Sequence, residues 1–178
     1  MGEIIQQQPV KLIVSIFTKK RDLFRKIEGV FSKKFGPIDY RSPILDFDQT
    51  DYYEIEFGKG LKRKFFSFEK LIDSADLWKV KIFSNKLEEK FSRGKKRLVN
   101  IDPGYISLAN LILASTKNFF HRIHISKGIF QEVTMIYQDK TYKSLAWTYP
   151  DYFRHKDIFL KMRTNLHRQL KEINTKKK

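Results

Sequence analysis

The chain has 178 residues, no cysteine, and 36 Lys plus Arg against 20 Asp plus Glu, a formal net charge of +16. The missing cysteine excludes a disulfide framework, a Cys zinc site and a thiol nucleophile. With 41% apolar residues, 16 Phe and 8 Tyr, the sequence is too apolar for a disordered polycation and demands a folded core with a basic exterior.

Residues 1–9 hold Glu3 and a run of glutamines where a secretory leader needs a basic and then an apolar stretch. The longest apolar-leaning runs, residues 11–17 and 106–114, fall short of the ~20 residues that cross a bilayer. The expectation is no membrane insertion and a cytoplasmic location of bacterial type.

Residues 10–17 (VKLIVSIF) read as a buried strand. Thr18 is placed to cap a helix whose Leu23, Phe24, Ile27, Val30, Phe31 and Phe35 recur at helical spacing, and Gly36-Pro37 ends it. Residues 38–57 read as extended, mixing Tyr40, Phe47, Tyr52, Tyr53 and Phe57 with acids such as Asp51, which suits an edge strand. A turn at Gly58-Lys59-Gly60 leads into a strand over residues 61–68. Trp78, Val80 and Ile82 alternate with Lys79, Lys81 and Phe83 as a further strand, after which Asn85 and Glu88 form the capping box of a short helix ending near Phe91.

From Arg97 onward the pattern is mostly β. Asp102-Pro103-Gly104 reads as a turn, and residues 106–115 fit either a strand or a helix. Residues 119–125, 129–137 and 141–147 form a meander turned at residues 126–128 and 138–140, stopped by Pro150. Ile158, Phe159, Met162, Leu166, Leu170 and Ile173 make the apolar stripe of a basic helix in residues 153–178, with a frayed tail from residue 174. The expected architecture is a single α+β domain over residues 1–178: a largely antiparallel sheet, an N-terminal βα unit and a C-terminal basic amphipathic helix.

The sequence lacks the phosphate-loop, dinucleotide, zinc-protease and nucleophile-elbow signatures. His121 and His124, three apart in a strand, fall on opposite faces, so no metal site is expected. Basic clusters lie at residues 19–21, 62–64 and 93–97, and the last 25 residues carry nine Lys or Arg against two acids, a net +7. Such a surface suits RNA or another anionic partner.

Five segments are idiosyncratic: FGPIDYRSP (35–43), FDQTDYYEIEFGKGLKRKFFSFEKLID (47–73), NIDPGY (100–105), HRIHISKGIFQEVTMIY (121–137) and WTYPDY (147–152). In this order they resemble the bacterial domain-of-unknown-function family numbered 4416, over about residues 9–152. The resemblance implies no established activity. Some members carry an automatic GTP-binding label, which is not carried over: NKLE at residues 85–88 only approximates a guanine-reading motif, and the phosphate loop is absent.

Within those segments, Asp102, His121 and Glu132 are the acid–base candidates, and Lys62, Arg63, Tyr105, Lys117, Arg122, Tyr149, Asp151 and Tyr152 the ligand-binding candidates. Each has a structural account too. The 102–104 turn can be only a turn, His121 only a hydrogen-bonding side chain, and Trp147, Tyr149 and Tyr152 only core. A hairpin centred on Lys127-Gly128 sets Arg122 opposite Glu132. The leading expectation is a protein that binds RNA or a nucleotide. The alternatives are an enzyme acting on a phosphorylated small molecule and an interaction module using the C-terminal helix. The sequence names no cofactor.

Overall fold

The computed structural model describes residues 2–3, 7–48, 54–94 and 96–176. Strand β1 (Lys11–Thr18) has every residue buried, as its β-branched, nearly unbroken apolar run requires of a strand covered on both faces. It lies between β4 (Lys62–Phe68) and β5 (Asn100–Ile106), antiparallel to both. The far edge of β4 takes β2 (Ile38–Arg41) and β3 (Leu45–Asp46). Beyond β5 come β6 (Asn110–Ser115) and the long β8 (Ile129–Gln138), whose outer edge is shared by β7 (Ile123–Ser126) and β9 (Thr141–Ser144). Every named pair is antiparallel.

Alternation along β1 divides its side chains between two cores. Leu12, Val14 and Ile16 pack under helices α1 (Arg21–Phe35) and α3 (Leu77–Lys90). On the opposite face Ile13 joins Phe65, Ile106 and Leu113 beneath Phe159, Met162, Leu166 and Leu170 of helix α5 (Lys156–Lys176). The C-terminal stripe is therefore spent against the sheet. Two short helices, α2 (Glu54–Phe57) and α4 (Pro150–Arg154), and a 3₁₀ turn at Ser74–Asp76 complete the described elements.

The α+β architecture, the N-terminal βα unit and the C-terminal helix agree with the sequence. Both meander turns are two-residue loops with positive φ: Lys127 and Gly128 at 48° and 74°, Asp139 and Lys140 at 50° and 60°. That geometry matches the strand twist of tight hairpins. Residues 110–115 resolve as strand.

Other elements differ. Residues 77–90, read partly as a strand and partly as a capped helix, are one helix, with Asn85 and Glu88 inside it. Its buried positions, Leu77, Val80, Lys81, Ser84, Leu87 and Glu88, keep helical spacing, but half of them are polar, so hydrophobicity alone hides the period. Residues 38–57 are not continuously extended: β2 and β3 are short, and residues 54–57 form α2. Asp51, Tyr52 and Tyr53 lie outside the described residues. Thr18 does not cap α1. Its Oγ1 accepts the Lys20 N–H at 3.0 Å and donates to the Leu98 carbonyl at 2.6 Å, tying the end of β1 to the approach to β5. Residues 174–176, expected to fray, continue α5.

Asp102-Pro103-Gly104 is not a turn but lies inside β5. Pro103 stands opposite Val14 in the β1 ladder, whereas pairing with β6 covers only Gly104–Ile106. A proline cannot donate to a neighbouring strand, so it is tolerated where the ladder stops. β6 continues alongside β8 as far as the Ser115–Phe130 pair, so the sheet forks between β5 and β6 at Pro103. Gly104 sits at the last close approach: a Cβ there would collide with the Ile112 carbonyl oxygen and come within 2.7 Å of the Leu113 side chain. Gly104→Ala is expected to lower stability by about 1–3 kcal/mol through this overpacking. Urea unfolding measures it, and an unchanged midpoint contradicts the close approach.

Candidate functional site

At the fork, β5 loses a strand partner, and α3 replaces it with side chains. The Ile101 N–H donates to Glu88 Oε1 at 2.6 Å, and the Ile101 carbonyl accepts from Lys81 Nζ at 3.0 Å. A buried backbone pair left unsatisfied is costly, which explains polar residues on the buried side of α3. Lys81 Nζ also lies 3.4 Å from Asp102 Oδ1, and Asn100 Nδ2 donates to Asp102 Oδ2 at 2.5 Å.

The fork opens into a cleft of about 740 Å³. Four sets of ion pairs wall it. Besides Lys81–Asp102, the Arg97 guanidinium holds Glu56 in a bidentate pair at 2.7 and 2.8 Å and reaches Glu88 and Asn100, both at 3.0 Å. Arg63, 3% exposed, pairs with Asp151. Its guanidinium lies among four rings, 4.2 Å from the centroid of Phe47 and 5.2–5.6 Å from those of Tyr152, Phe17 and Phe65. Among the described residues its Nε–H is buried and donates to no protein acceptor.

The fourth set comes from the β7–β8 hairpin. Arg122 Nε donates to Glu132 Oε2 at 2.7 Å, as the register extended from His124–Phe130 and Ile123–Gln131 requires. Arg122 also donates to the Lys117 carbonyl at 3.0 Å and to the Tyr149 hydroxyl at 2.9 Å. Glu132, 3% exposed, receives His121 Nε2 at 3.0 Å on the same oxygen. The His121 ring stacks on Trp147 at 4.9 Å.

Among the described residues six carboxylates (Glu56, Glu88, Glu89, Asp102, Glu132, Asp151) and five cations (Arg63, Lys81, Arg97, Lys117, Arg122) line the cleft. It is therefore nearly charge-balanced, and the surplus of +16 lies elsewhere on the molecule. Burial pushes the Glu88 carboxyl up, against the pull of Lys81 and Arg97, while the Arg97 hydrogen bond holds Glu56 down. Burial, with the nearby Glu132 and Asp102 charges, raises the Tyr149 hydroxyl.

Eight of the residues singled out in the sequence line this cleft: Asp102, Glu132, Arg63, Lys117, Arg122, Tyr149, Asp151 and Tyr152. Tyr152 is also core, stacked on Phe159 with centroids 5.5 Å apart. Three do not line it. Lys62 is adjacent to Arg63 on β4, so it points to the other face, where it pairs with Asp46. Tyr105 packs beside Leu77 and Ile112 on the α3 side. His121 stands behind Glu132. Among the described residues no group of three or more His, Cys, Asp or Glu side chains is arranged to hold a metal ion.

Sequence reasoning missed Lys81, Glu88, Arg97 and Asn100. Their signal was the polar half of a helical period in residues 77–88, together with a proline in an otherwise strand-like run.

Over residues 8–166 the chain matches the family model described as Domain of unknown function (DUF4416), and it belongs to that family. No curated protein and no solved structure matches it.

Two stability experiments probe the cleft. A carboxyl raised in the folded state supports folding below its unfolded pKa and withdraws that support as the pH climbs through the folded one. The stability difference between the wild type and Glu88→Gln is therefore expected to shift toward the variant as the pH rises above 4.5, the ordinary glutamate value. Urea unfolding across that range measures it, and a flat difference contradicts burial as the dominant influence. Asp151→Ala leaves Arg63 buried without its counter-charge and is expected to cost about 3–5 kcal/mol. A loss under about 1 kcal/mol, the worth of an exposed pair, would show that Arg63 is hydrated.

Proposed function

We propose, for this member of a family whose description carries no activity, that the protein binds a small phosphorylated ligand in the fork cleft. One observation carries the reading: cations from four separate parts of the fold, including Arg63, Lys117 and Arg122, converge on one cleft. A cleft of about 740 Å³ falls in the range of small-molecule sites, about 300–1,000 Å³. The paired cations still have donors to offer. Among the described residues Arg122 uses three of its five N–H groups, and the Arg63 Nε–H has no protein acceptor. The carboxylates suit a ligand that also brings hydroxyl or amine donors. An RNA strand threaded through the cleft would meet six carboxylates; RNA is better matched to the outer basic surface. A partner reaching α5 meets its basic side, since Phe159, Met162, Leu166 and Leu170 are buried.

A second reading, an enzyme acting on that ligand, is favoured by Asp102. Its side chain is 28% exposed, lines the cleft and is held by Lys81 and Asn100. In this reading Asp102 is the acid–base group, with Glu132 as its partner carboxylate and His121 acting only through Glu132.

Thermal shift and calorimetry against inorganic phosphate, ribose 5-phosphate, adenosine 5′-monophosphate and a hexauridylate test both readings. The small phosphate esters are expected to raise Tm, and Lys117→Ala is expected to weaken them about tenfold, the loss of one charge-assisted hydrogen bond. No shift with any small phosphate ester overturns the cleft reading. Binding of hexauridylate that falls by about 10² between low and physiological salt instead assigns RNA to the outer surface. Turnover abolished by Asp102→Asn with binding retained selects the enzyme.

A further inference from the structure

The loop between β6 and β7 carries two large aromatic rings in solvent: Phe119 is 58% exposed and Phe120 is 80% exposed. Folding alone does not require this, since both rings lie outside every core cluster. They are nevertheless held firmly. Their centroids are 4.9 Å apart, and each packs edge-on against His121, at 5.4 and 4.9 Å. His121 in turn stacks on Trp147, and Phe120 meets the Trp147 edge at 6.2 Å. The loop is cinched by the Arg122 N–H donating to the Phe119 carbonyl at 3.0 Å and by the Arg122 guanidinium on the Lys117 carbonyl.

The same few residues join this aromatic surface to the cleft. Glu132 Oε2 holds His121 on the side of the rings and Arg122 on the side of the cleft. Lys117, two residues before Phe119, lines the cleft. One loop thus presents two exposed rings outside, tilted 49° to one another, and hydrogen-bond donors for a phosphate inside, at positions two or three residues apart in sequence.

We infer that the loop of residues 117–122 is a stacking platform for a nucleobase, and that the ligand of the cleft is a nucleotide whose phosphate lies at Lys117 and Arg122 while its base rests on Phe119 and Phe120. This rests on the cleft reading and narrows its ligand from phosphate esters in general to nucleotides. Stacking on an exposed ring discriminates little among bases, because every base offers a π face. The platform therefore accepts purine and pyrimidine nucleotides, purines more tightly for their larger area.

Calorimetry at one salt concentration compares adenosine 5′-monophosphate with ribose 5-phosphate, which carries the phosphate without the base. The wild type is expected to bind the nucleotide at least tenfold more tightly. The double variant Phe119→Ala, Phe120→Ala is expected to bind both alike, with ribose 5-phosphate unchanged from the wild type. Both rings are exposed, so the variant keeps the fold, which its unfolding transition verifies. Equal affinity of the wild type for the two ligands, or a nucleotide preference that survives in the double variant, overturns the platform and leaves the cleft reading standing. Failure of both ligands to bind the wild type overturns the cleft reading and the platform with it.

Discussion

Glu88 and Lys81 take the place of a strand. Where β6 leaves β5, the Ile101 N–H and carbonyl are bonded by these two side chains from α3, so this buried residue at the split edge keeps both backbone partners. The arrangement is demanding because it buries opposite charges, and such pairs are retained only when their remaining donors and acceptors are also satisfied. Arg97 and Asn100 meet that need on the Glu88 side, Asp102 on the Lys81 side. The cleft exists because these groups hold the fork open. If β5 and β6 paired throughout, Asn100 and Asp102 would lie within a continuous ladder.

The charge of the molecule separates into two populations. Four of the cleft cations, Arg63, Lys81, Arg97 and Arg122, are oriented by a carboxylate and by aromatic or backbone contacts, as Arg63 is by Asp151 and Phe47. The outer surface carries the excess, for instance Arg21, Arg25 and Lys33 on α1 and Lys161, Arg168 and Lys171 on α5, all exposed. Exposed cations feel salt strongly and act at long range, whereas buried pairs are screened little and act by geometry. A net +16 therefore speaks for the exterior and not for the cleft.

The parts of the fold governed by neighbours in sequence were legible without the structure. Residues 10–17 announce a buried strand by their apolar, β-branched run, α1 by its 3.6-residue stripe, and the two hairpins by Lys127-Gly128 and Asp139-Lys140. The Arg122–Glu132 pair was expected from the hairpin, yet counting outward from the two-residue loop reaches Val133, and it is the register shift between His124 and Ser126 that sets Arg122 opposite Glu132. Two segments resisted for one shared reason. The buried side of α3 is half polar because it serves the fork, and Asp102-Pro103-Gly104 resembles a turn because a central strand has no use for proline unless a neighbour departs there. Each looks anomalous alone and is consistent only with the other present.

The sequence by itself determined the class of the fold, the burial of β1 and the positions of the two hairpin turns, since these depend on local periodicity and turn geometry. Tertiary structure alone decided which of those residues meet. Adjacent strand positions face opposite ways, so Arg63 enters the cleft while Lys62 leaves it. Tyr105 and Asp102, three apart on β5, are likewise divided between the two faces. Long-range pairing brought Asp151 to Arg63 across 88 positions and Glu56 to Arg97 across 41, contacts with no local signature because they are set by packing of the whole chain.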